Sequence, residues 1–162
     1  MDLNIFKRNI EVLDSLKSSL LRTQYINAFI NTSSEFYKLY IENQYKFIDG
    51  YCYTGYLWDC LNSPDIADEL YVKEIQKKIN NVYVLWDIHS CERILVENYW
   101  KFEKDAVLSL SMDTLLSGME HLPEDLYIFD DSFTWTVIFT HENIDGKRYC
   151  LKIGYISDRK KT

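Results

Sequence analysis

Three residues at alternate positions, Asp87, His89 and Cys91, could supply nucleophilic chemistry. On one strand they would share a face, and together they are the inventory of a cysteine nucleophile with its base and an orienting acid. Side chains at i and i+2 on a strand run parallel about 7 Å apart, so each of the three would need a partner from another element. The pattern therefore favours the alternative, a strand end with a buried thiol and a histidine near the surface.

A second polar group, Thr140–Glu142, lies just before a predicted hairpin turn. With Asp130 or Asp131, His141 could supply imidazole and carboxylate ligands to a metal ion, and His89 would be the next ligand to test. Such a site needs three or four groups that meet at one point, so polar residues at a strand end and in a turn are the favoured interpretation. We therefore expect no metal and no cofactor, and a small metal-dependent enzyme using His89 and His141 stays an alternative.

Common catalytic motifs are missing from the sequence. The five glycines are isolated, so no glycine-rich loop is available to hold a phosphate. The sequence also lacks a GxSxG elbow and an HExxH helix. These observations favour a protein that is not an enzyme.

Tyrosine is frequent in the first third of the chain, where seven of the thirteen tyrosines lie between residues 25 and 56. Tyrosine offers a large contact area with a polar tip, which suits a protein-binding surface. A core of tyrosines whose hydroxyls reach the surface is the favoured interpretation of the tyrosines alone, and an exposed binding surface is the other. With acidic neighbours the cluster would form an acidic, aromatic surface that captures a basic partner. The candidate partner-binding residues are Asp49, Tyr51, Tyr53, Tyr56, Asp59, Asp65, Asp68 and Glu69.

The elements that would position these residues are predicted to be helices up to about residue 80. Apolar spacings of three and four predict an amphipathic helix over residues 3–21. The pattern continues over residues 25–48 as two helices or one bent helix, with a possible capping box from Thr32 to Glu35. Residues 63–65, Ser-Pro-Asp, have the composition of a helix start. Residues 51–61 fit a helix or a strand equally well.

The C-terminal half is predicted to be an antiparallel sheet. Residues 82–88 and 106–110 have the composition of strands. Residues 112–119 have the apolar spacing of a helix, and Pro123 prevents the helix from continuing further. Asp145-Gly146 between two apolar runs predicts a tight hairpin. Alternation predicts one apolar face that packs on the helices, formed by Phe133, Trp135, Val137 and Phe139.

Length and composition predict one α+β domain over residues 1–162, with N-terminal helices packed on a C-terminal antiparallel β-sheet. The chain is 47% hydrophobic, which suffices for a core. We expect a helical part over 1–80, a sheet-rich part over 81–157 and a frayed tail over 158–162. Without a long apolar run or a signal-peptide pattern, the chain is predicted to be cytoplasmic, with no membrane partner and reduced, mostly buried cysteines.

The net charge of the chain indicates which class of partner it can bind. The 18 basic and 25 acidic residues give a net charge of -7, so the average field around the protein repels phosphate backbones. We therefore expect no direct contact with nucleic acid, whereas a basic protein would be attracted. The chain itself is expected to be a monomer or a homodimer.

Three segments of the C-terminal half carry a resemblance. They are WDIHSCERI at 86–94, LPEDLYIFDDSFTWTVIFTHE at 122–142 and GKRYCL at 146–151. They resemble a small uncharacterised bacterial family with the signature PEDxYxFDxxFxWTxxxTHE, which is similar to the immunity proteins of polymorphic and contact-dependent toxin systems. The resemblance implies a cognate toxin as partner, but no binding residue follows from it.

Charge, size and the lack of a catalytic motif lead to the same hypothesis. The sequence predicts a non-enzymatic cytosolic binding protein, an immunity protein that occludes the active site of a basic toxin such as a nuclease. A subunit or regulator in a larger protein assembly is the alternative from another class.

Overall fold

A sheet of antiparallel strands forms the centre of the computed structural model, which describes residues 1–94 and 99–156. The strands are, in chain order, β1 (Glu11–Val12), β2 (Tyr45–Phe47), β3 (Gly50–Cys52), β4 (Asp65–Ile66), β5 (Asn81–Leu85), β6 (Leu108–Ser111), β7 (Leu126–Phe129), β8 (Trp135–Ile144) and β9 (Lys147–Gly154).

Seven of these strands join in the order β1-β6-β5-β7-β8-β9-β4, and every neighbouring pair is antiparallel. The other two, β2 and β3, form a separate hairpin. The C-terminal half supplies all but the two short edge strands, β1 and β4, of the large sheet. This architecture confirms the predicted α+β class with a C-terminal antiparallel sheet.

The helices are short compared with the sheet, and α2 is the longest. No helix among the described residues is long and apolar enough to cross a membrane. The helical segments are α1 (Leu3–Arg8), α2 (Ser15–Phe29), α3 (Glu35–Tyr37) continued by a π-helical turn (Lys38–Glu42), a 3-10 turn (Leu57–Cys60), α4 (Glu69–Lys78), α5 (Met112–Ser117) and a second 3-10 turn (Met119–His121).

Both faces of the sheet are buried, each under its own group of helices. On one face α1, α4 and α5 pack against side chains such as Val84 and Val137. On the other face α2 and the segment after it pack against Tyr127 and Ile138. The prediction of a single apolar face on β8 is therefore wrong. Phe133 also departs from it, because φ there is +51° and the ring packs on the same side as Ile138.

The helix predicted over residues 3–21 is in fact two helices with a strand between them. The first helix ends at Arg8, and Glu11–Val12 pairs with β6. The backbone N–H of Leu13 continues this pairing by donating to the Val107 carbonyl at 3.0 Å. Asp14 then caps α2 by accepting from the Lys17 N–H at 2.8 Å. Pairing with the sheet thus overrides the helical spacing.

Two helices rather than one bent helix occupy the predicted range 25–48, and the second is brief. Ser34 is its N-cap, accepting from the Tyr37 N–H at 3.1 Å, so the capping box from Thr32 to Glu35 does not form. After Asn43 the chain enters β2, so residues 45–47 are extended. The undecided range 51–61 includes the end of β3 and a 3-10 turn.

The predicted helix start at residues 63–65 is wrong. Ser63 has φ of +46°, and Asp65–Ile66 pairs with β9 as an edge strand. The helix begins at Glu69, five residues after Pro64, and Asp68 caps it by accepting from the Tyr71 N–H at 2.8 Å. The Ser-Pro-Asp segment therefore makes a turn into the sheet.

The C-terminal hairpin is confirmed. Asp145 and Gly146 have φ of +52° and +76°, as a two-residue hairpin turn between antiparallel strands requires. The strand predicted over 82–88 is β5 and ends at Leu85, and the helix predicted over 112–119 is α5 with the start of a 3-10 turn. The predicted frayed tail lies outside the described residues.

Candidate functional site

The three residues at alternate positions do not form a nucleophilic set. Because β5 ends at Leu85, Asp87, His89 and Cys91 lie on irregular chain rather than on one strand. Asp87 and His89 are buried, whereas Cys91 is exposed and bonds to Asp49. The hypothesis of a cysteine nucleophile with its base is not supported by this placement.

Asp87 joins the 3-10 turn after β3 to the sheet. Its Oδ1 accepts from the Leu57 N–H at 2.8 Å, and its Oδ2 accepts from the Tyr127 hydroxyl at 2.7 Å. The same hydroxyl oxygen accepts from the Trp58 N–H at 3.0 Å. Burial raises the pKa of Asp87 to about 8, although the two hydrogen bonds oppose that change. Asp87 therefore links the 3-10 turn to β7 through hydrogen bonds that are buried in the protein.

Arg22 of α2 bonds to the residue before Asp87 and to the segment that leads into β6. Its buried guanidinium donates to the backbone carbonyls of Trp86, Asp105 and Ala106 at 2.8, 2.8 and 3.0 Å. Burial lowers the pKa of Arg22. A planar group with five donors suits three carbonyls that converge from two segments.

His141 is paired with Asp125, a residue that the sequence did not single out. Its Nδ1 lies 3.0 Å from both carboxylate oxygens of Asp125, and its backbone N–H donates to Oδ1 at 3.0 Å. Trp58 adds a bond from its indole N–H to the same oxygen at 3.0 Å. Because a carboxylate accepts, Nδ1 carries the proton that faces Asp125, and Nε2 is left for other contacts.

Aromatic rings surround the imidazole of His141. The ring centroid of Tyr56 lies 5.1 Å from that of His141, 4.8 Å from that of His89 and 5.6 Å from that of Trp58. Tyr56 and Trp58 are half-buried, so part of each ring faces solvent. His89 is fixed behind Tyr56, with Nε2 2.9 Å from the Gly55 carbonyl, and burial lowers its pKa.

Carboxylates gather beside these rings. The pKa of Asp59 is raised by partial burial first and then by the nearby charges of Glu142 and Asp125. The charges of Glu142 and Asp125 therefore disfavour the ionised form of Asp59, while His141 offsets part of that effect. We define the Tyr56 surface as the set Tyr56, Trp58, Asp59, Asp125, His141 and Glu142.

A pocket of about 590 Å³ opens next to the Tyr56 surface. Tyr56, Asp125 and His141 form one side of it, while Lys101 and Arg148 contribute positive charge to its lining. A pocket with both signs of charge beside an acidic surface can receive a protruding polar side chain of a partner.

The predicted metal ligands do not come together. Asp130 follows β7 and bonds to the Ser132 N–H at 2.9 Å, whereas Asp125, the carboxylate that reaches His141, precedes β7. Among the described residues, no group of three or more His, Cys, Asp or Glu side chains is placed to hold a metal ion. The register of β7 and β8 carries the missed signal, since Leu126 pairs with Phe139 and so brings Asp125 towards His141.

The predicted partner-binding residues lie in separate places. Only Tyr56 and Asp59 belong to the Tyr56 surface, and Tyr53 is buried. Tyr51 is exposed on β3, beside the turn that holds Asp49. The remaining members lie on or next to β4 and α4, namely Asp65, Asp68 and Glu69.

Asp49 is occupied by structural bonds. Its Oδ2 accepts from the Cys91 N–H and from the Lys104 ammonium, both at 2.8 Å, and its Oδ1 accepts from the Ser90 hydroxyl at 2.8 Å. Burial alone would raise the pKa of Asp49, but these bonds outweigh it and hold the pKa well below its usual range. Asp49 thus fastens the β2–β3 hairpin to residues 90 and 91.

The Tyr56 surface can bind through charge, aromatic contact and hydrogen bonds. Its one acid–base pair is His141 with Asp125, while the hydroxyl and thiol nearest to His89 in sequence, Ser90 and Cys91, bond to Asp49 instead.

Comparison with protein-family models, with curated proteins and with solved structures gave no significant match.

Proposed function

We propose that this chain is a non-enzymatic binding protein, an immunity protein that neutralises a basic toxin by covering the toxin's active site with the Tyr56 surface. The observation that carries the proposal is the placement of the exposed carboxylates Asp59 and Glu142, together with the pair of buried Asp125 and His141, beside the half-exposed rings of Tyr56 and Trp58.

This grouping supplies both parts of a protein-binding surface. Tyrosine and tryptophan are the side chains most enriched at positions that dominate binding energy. Partial burial and then the charges of Glu142 and Asp125 raise the pKa of Asp59, and a cationic partner would offset the effect of these two charges. A basic surface is therefore the complement of the Tyr56 surface.

The charge of the whole chain supports the same partner class. A net charge of -7 speeds encounter with a basic protein and opposes encounter with nucleic acid. Toxin domains that process nucleic acid have active sites built for phosphate, where carboxylates of an inhibitor can take the phosphate positions. Residues 122–142 resemble the signature of an uncharacterised family that is itself similar to immunity proteins, and this resemblance is in line with the proposal.

Internal bonding favours binding over catalysis. Asp87, Tyr127 and His89 belong to the segments that carry the resemblance, and each is buried and bonded within the chain. Their polar groups hold the Tyr56 segment on the sheet. Asp87 and Tyr127 therefore serve to position the surface.

Co-expression with the product of the neighbouring gene in the native host tests the proposal. We expect the chain to rescue growth and to form a complex whose Kd rises with added salt, as measured by calorimetry at low and high salt. A non-toxic neighbour with no complex would sink the immunity proposal. A stoichiometric bound metal that His141→Ala removes would instead support a metal-dependent enzyme.

Single substitutions locate the surface. Tyr56→Ala should raise the Kd by about tenfold or more, since truncation of a central aromatic removes contact area and exposes the partner to water. Tyr51→Ala is the matched control, because Tyr51 is 62% exposed and lies outside the Tyr56 surface. Equal effects of the two variants would reject the Tyr56 surface as the interface.

A further inference from the structure

A second recess lies between α4 and the β8–β9 hairpin. It has a volume of about 880 Å³, and its lining includes the apolar side chains of Ala67, Leu116, Phe139 and Cys150. We call it the α4 groove. It is on the side of the sheet that carries α1, α4 and α5.

Aliphatic side chains from three different elements line the α4 groove and remain exposed. Ile66 of β4 is 69% exposed, Leu70 of α4 is 74% exposed and Ile144 of β8 is 53% exposed. Single exposed aliphatic residues are common on protein surfaces, but a group that lines one groove marks an interaction surface.

The charges of the α4 groove differ from those of the whole chain. Its lining has two acidic residues, Asp68 and Glu69, and three basic residues, Lys73, Lys147 and Arg148. The local balance is therefore +1, whereas the chain has a net charge of -7. A surface made for a basic toxin would be acidic, so the α4 groove fits a different partner.

The acidic residues lie on one side of the groove, whereas basic residues lie on both. Asp68, Glu69 and Lys73 are on the α4 side, while Lys147 and Arg148 begin β9. The Lys147 ammonium lies 3.9 Å from the Glu69 carboxylate across the groove, and both side chains are largely exposed. Each can therefore bond to a group on another molecule.

We propose that the α4 groove is the interface of a homodimer with two-fold symmetry. In such an interface the same patch faces itself, so the acidic side of one protomer meets the basic side of its partner. The exposed aliphatic side chains of both protomers then meet at the centre, and water is excluded from them. The acids of the groove lie on its α4 side only, and its β9 side carries only cations, so the two sides are complementary across a two-fold axis. This is why the occupant is a second copy of this chain. The α4 groove shares Arg148 with the pocket beside the Tyr56 surface, but the homodimer does not rest on the toxin-binding proposal, because its test needs no toxin.

Sedimentation velocity across a dilution series of the full chain tests this interface. We expect the wild type to dissociate from dimer to monomer on dilution, and Leu70→Asp to raise the dimer Kd by about tenfold or more. Leu16→Asp is the matched control, because Leu16 is 83% exposed on α2 and lies outside the groove. A monomer at every concentration up to the solubility limit would overturn the proposal, as would equal effects of the two variants.

Charge exchange gives a second test that does not depend on apolar contacts. Glu69→Lys should weaken the dimer by placing positive charge on both sides of the interface. Adding Lys147→Glu to the same chain should restore the dimer, because opposite signs again face each other. Failure of the double variant to dimerise, with an unchanged circular dichroism spectrum, would reject the two-fold arrangement.

Discussion

At the scale of the residue, Asp87 has the property that bears most on stability. Burial raises its pKa to about 8, whereas an unfolded aspartate has a pKa of about 3.9. Between these values the folded chain keeps a proton that the unfolded chain releases. The free energy of unfolding should therefore fall as the pH rises through this window, by about 1.4 kcal/mol per pH unit.

Asp87→Asn removes this dependence, because an amide does not ionise and still offers an acceptor to the Leu57 N–H. We expect urea unfolding of the variant to give a flatter dependence on pH than the wild type from about pH 5 to about pH 8. Asp65→Asn is the control, since Asp65 is exposed on an edge strand. If Asp87→Asn keeps the wild-type slope, Asp87 is ionised in the folded protein.

At the scale of the element, two glycines of the last hairpin should differ in their tolerance of a side chain. Gly146 and Gly154 have nearly the same φ, +76° and +74°. A Cβ at Gly146 would meet open space, whereas a Cβ at Gly154 would overlap the backbone carbonyl of Thr134. Gly146→Ala should therefore lower the free energy of unfolding by about 1–2 kcal/mol, from the left-handed backbone alone.

Gly154→Ala has the same cost from the left-handed backbone and adds the clash with Thr134. The free energy of unfolding should therefore decrease by about 2 kcal/mol or more beyond the decrease in Gly146→Ala. Urea titrations of the two variants measure the difference directly. Similar losses would mean that the end of β9 can shift away from Thr134 without disturbing the pairing of Trp135 with Gly154.

The bond from Cys91 to Asp49, which joins residue 91 to the β2–β3 hairpin, should also lower the reactivity of the Cys91 thiol. The Asp49 carboxylate accepts from the Cys91 thiol at 2.7 Å, and this bond raises the pKa of the thiol because a thiolate beside a carboxylate is disfavoured. Asp49→Asn should therefore increase the rate of Cys91 alkylation by iodoacetamide severalfold, as followed by peptide mass spectrometry. Cys150 is an internal control, and its rate should not change. An unchanged rate at Cys91 would show that Asp49 does not protect the thiol.

Strands were more predictable from the sequence than helices. The Asp145-Gly146 turn and the strand composition of residues 82–88 are local signals, and both are found in the structure. The predicted helix over residues 3–21 failed because Glu11–Val12 pairs with β6, about 100 residues further along the chain. Helical spacing is a local property, whereas strand pairing is decided by a distant segment.

The candidate site was predictable only in part, for a related reason. Tyr56 and Asp59 follow from composition, and both belong to the Tyr56 surface. Asp125 depends on the register between β7 and β8, which one sequence does not give without the position of the intervening turn. The turn at residues 130–134 includes Phe133 with φ of +51°, a conformation unusual for a bulky residue.

At the scale of the whole molecule, one sheet separates two apolar clusters. Ile75 of α4 packs in the cluster with Val84, while Phe29 of α2 packs in the cluster with Leu85. Because Val84 and Leu85 are adjacent in β5, the same strand contributes to both clusters. Unfolding of one cluster should therefore disrupt β5 and, with it, the packing of the other cluster. We expect the described residues to unfold as one cooperative unit.

Mild core substitutions on each face test this coupling. Ile75→Val should lower the free energy of unfolding by about 1 kcal/mol, and Phe29→Leu by a similar amount, through lost contacts and a small cavity. Three of the four tryptophans, Trp86, Trp100 and Trp135, pack in the cluster of Ile75, so tryptophan fluorescence reports mainly on that face. If the molecule is one unit, Phe29→Leu on the opposite face should move the fluorescence and circular dichroism midpoints in urea together. A fluorescence midpoint that stays at its wild-type value in Phe29→Leu would mean that the two faces unfold separately.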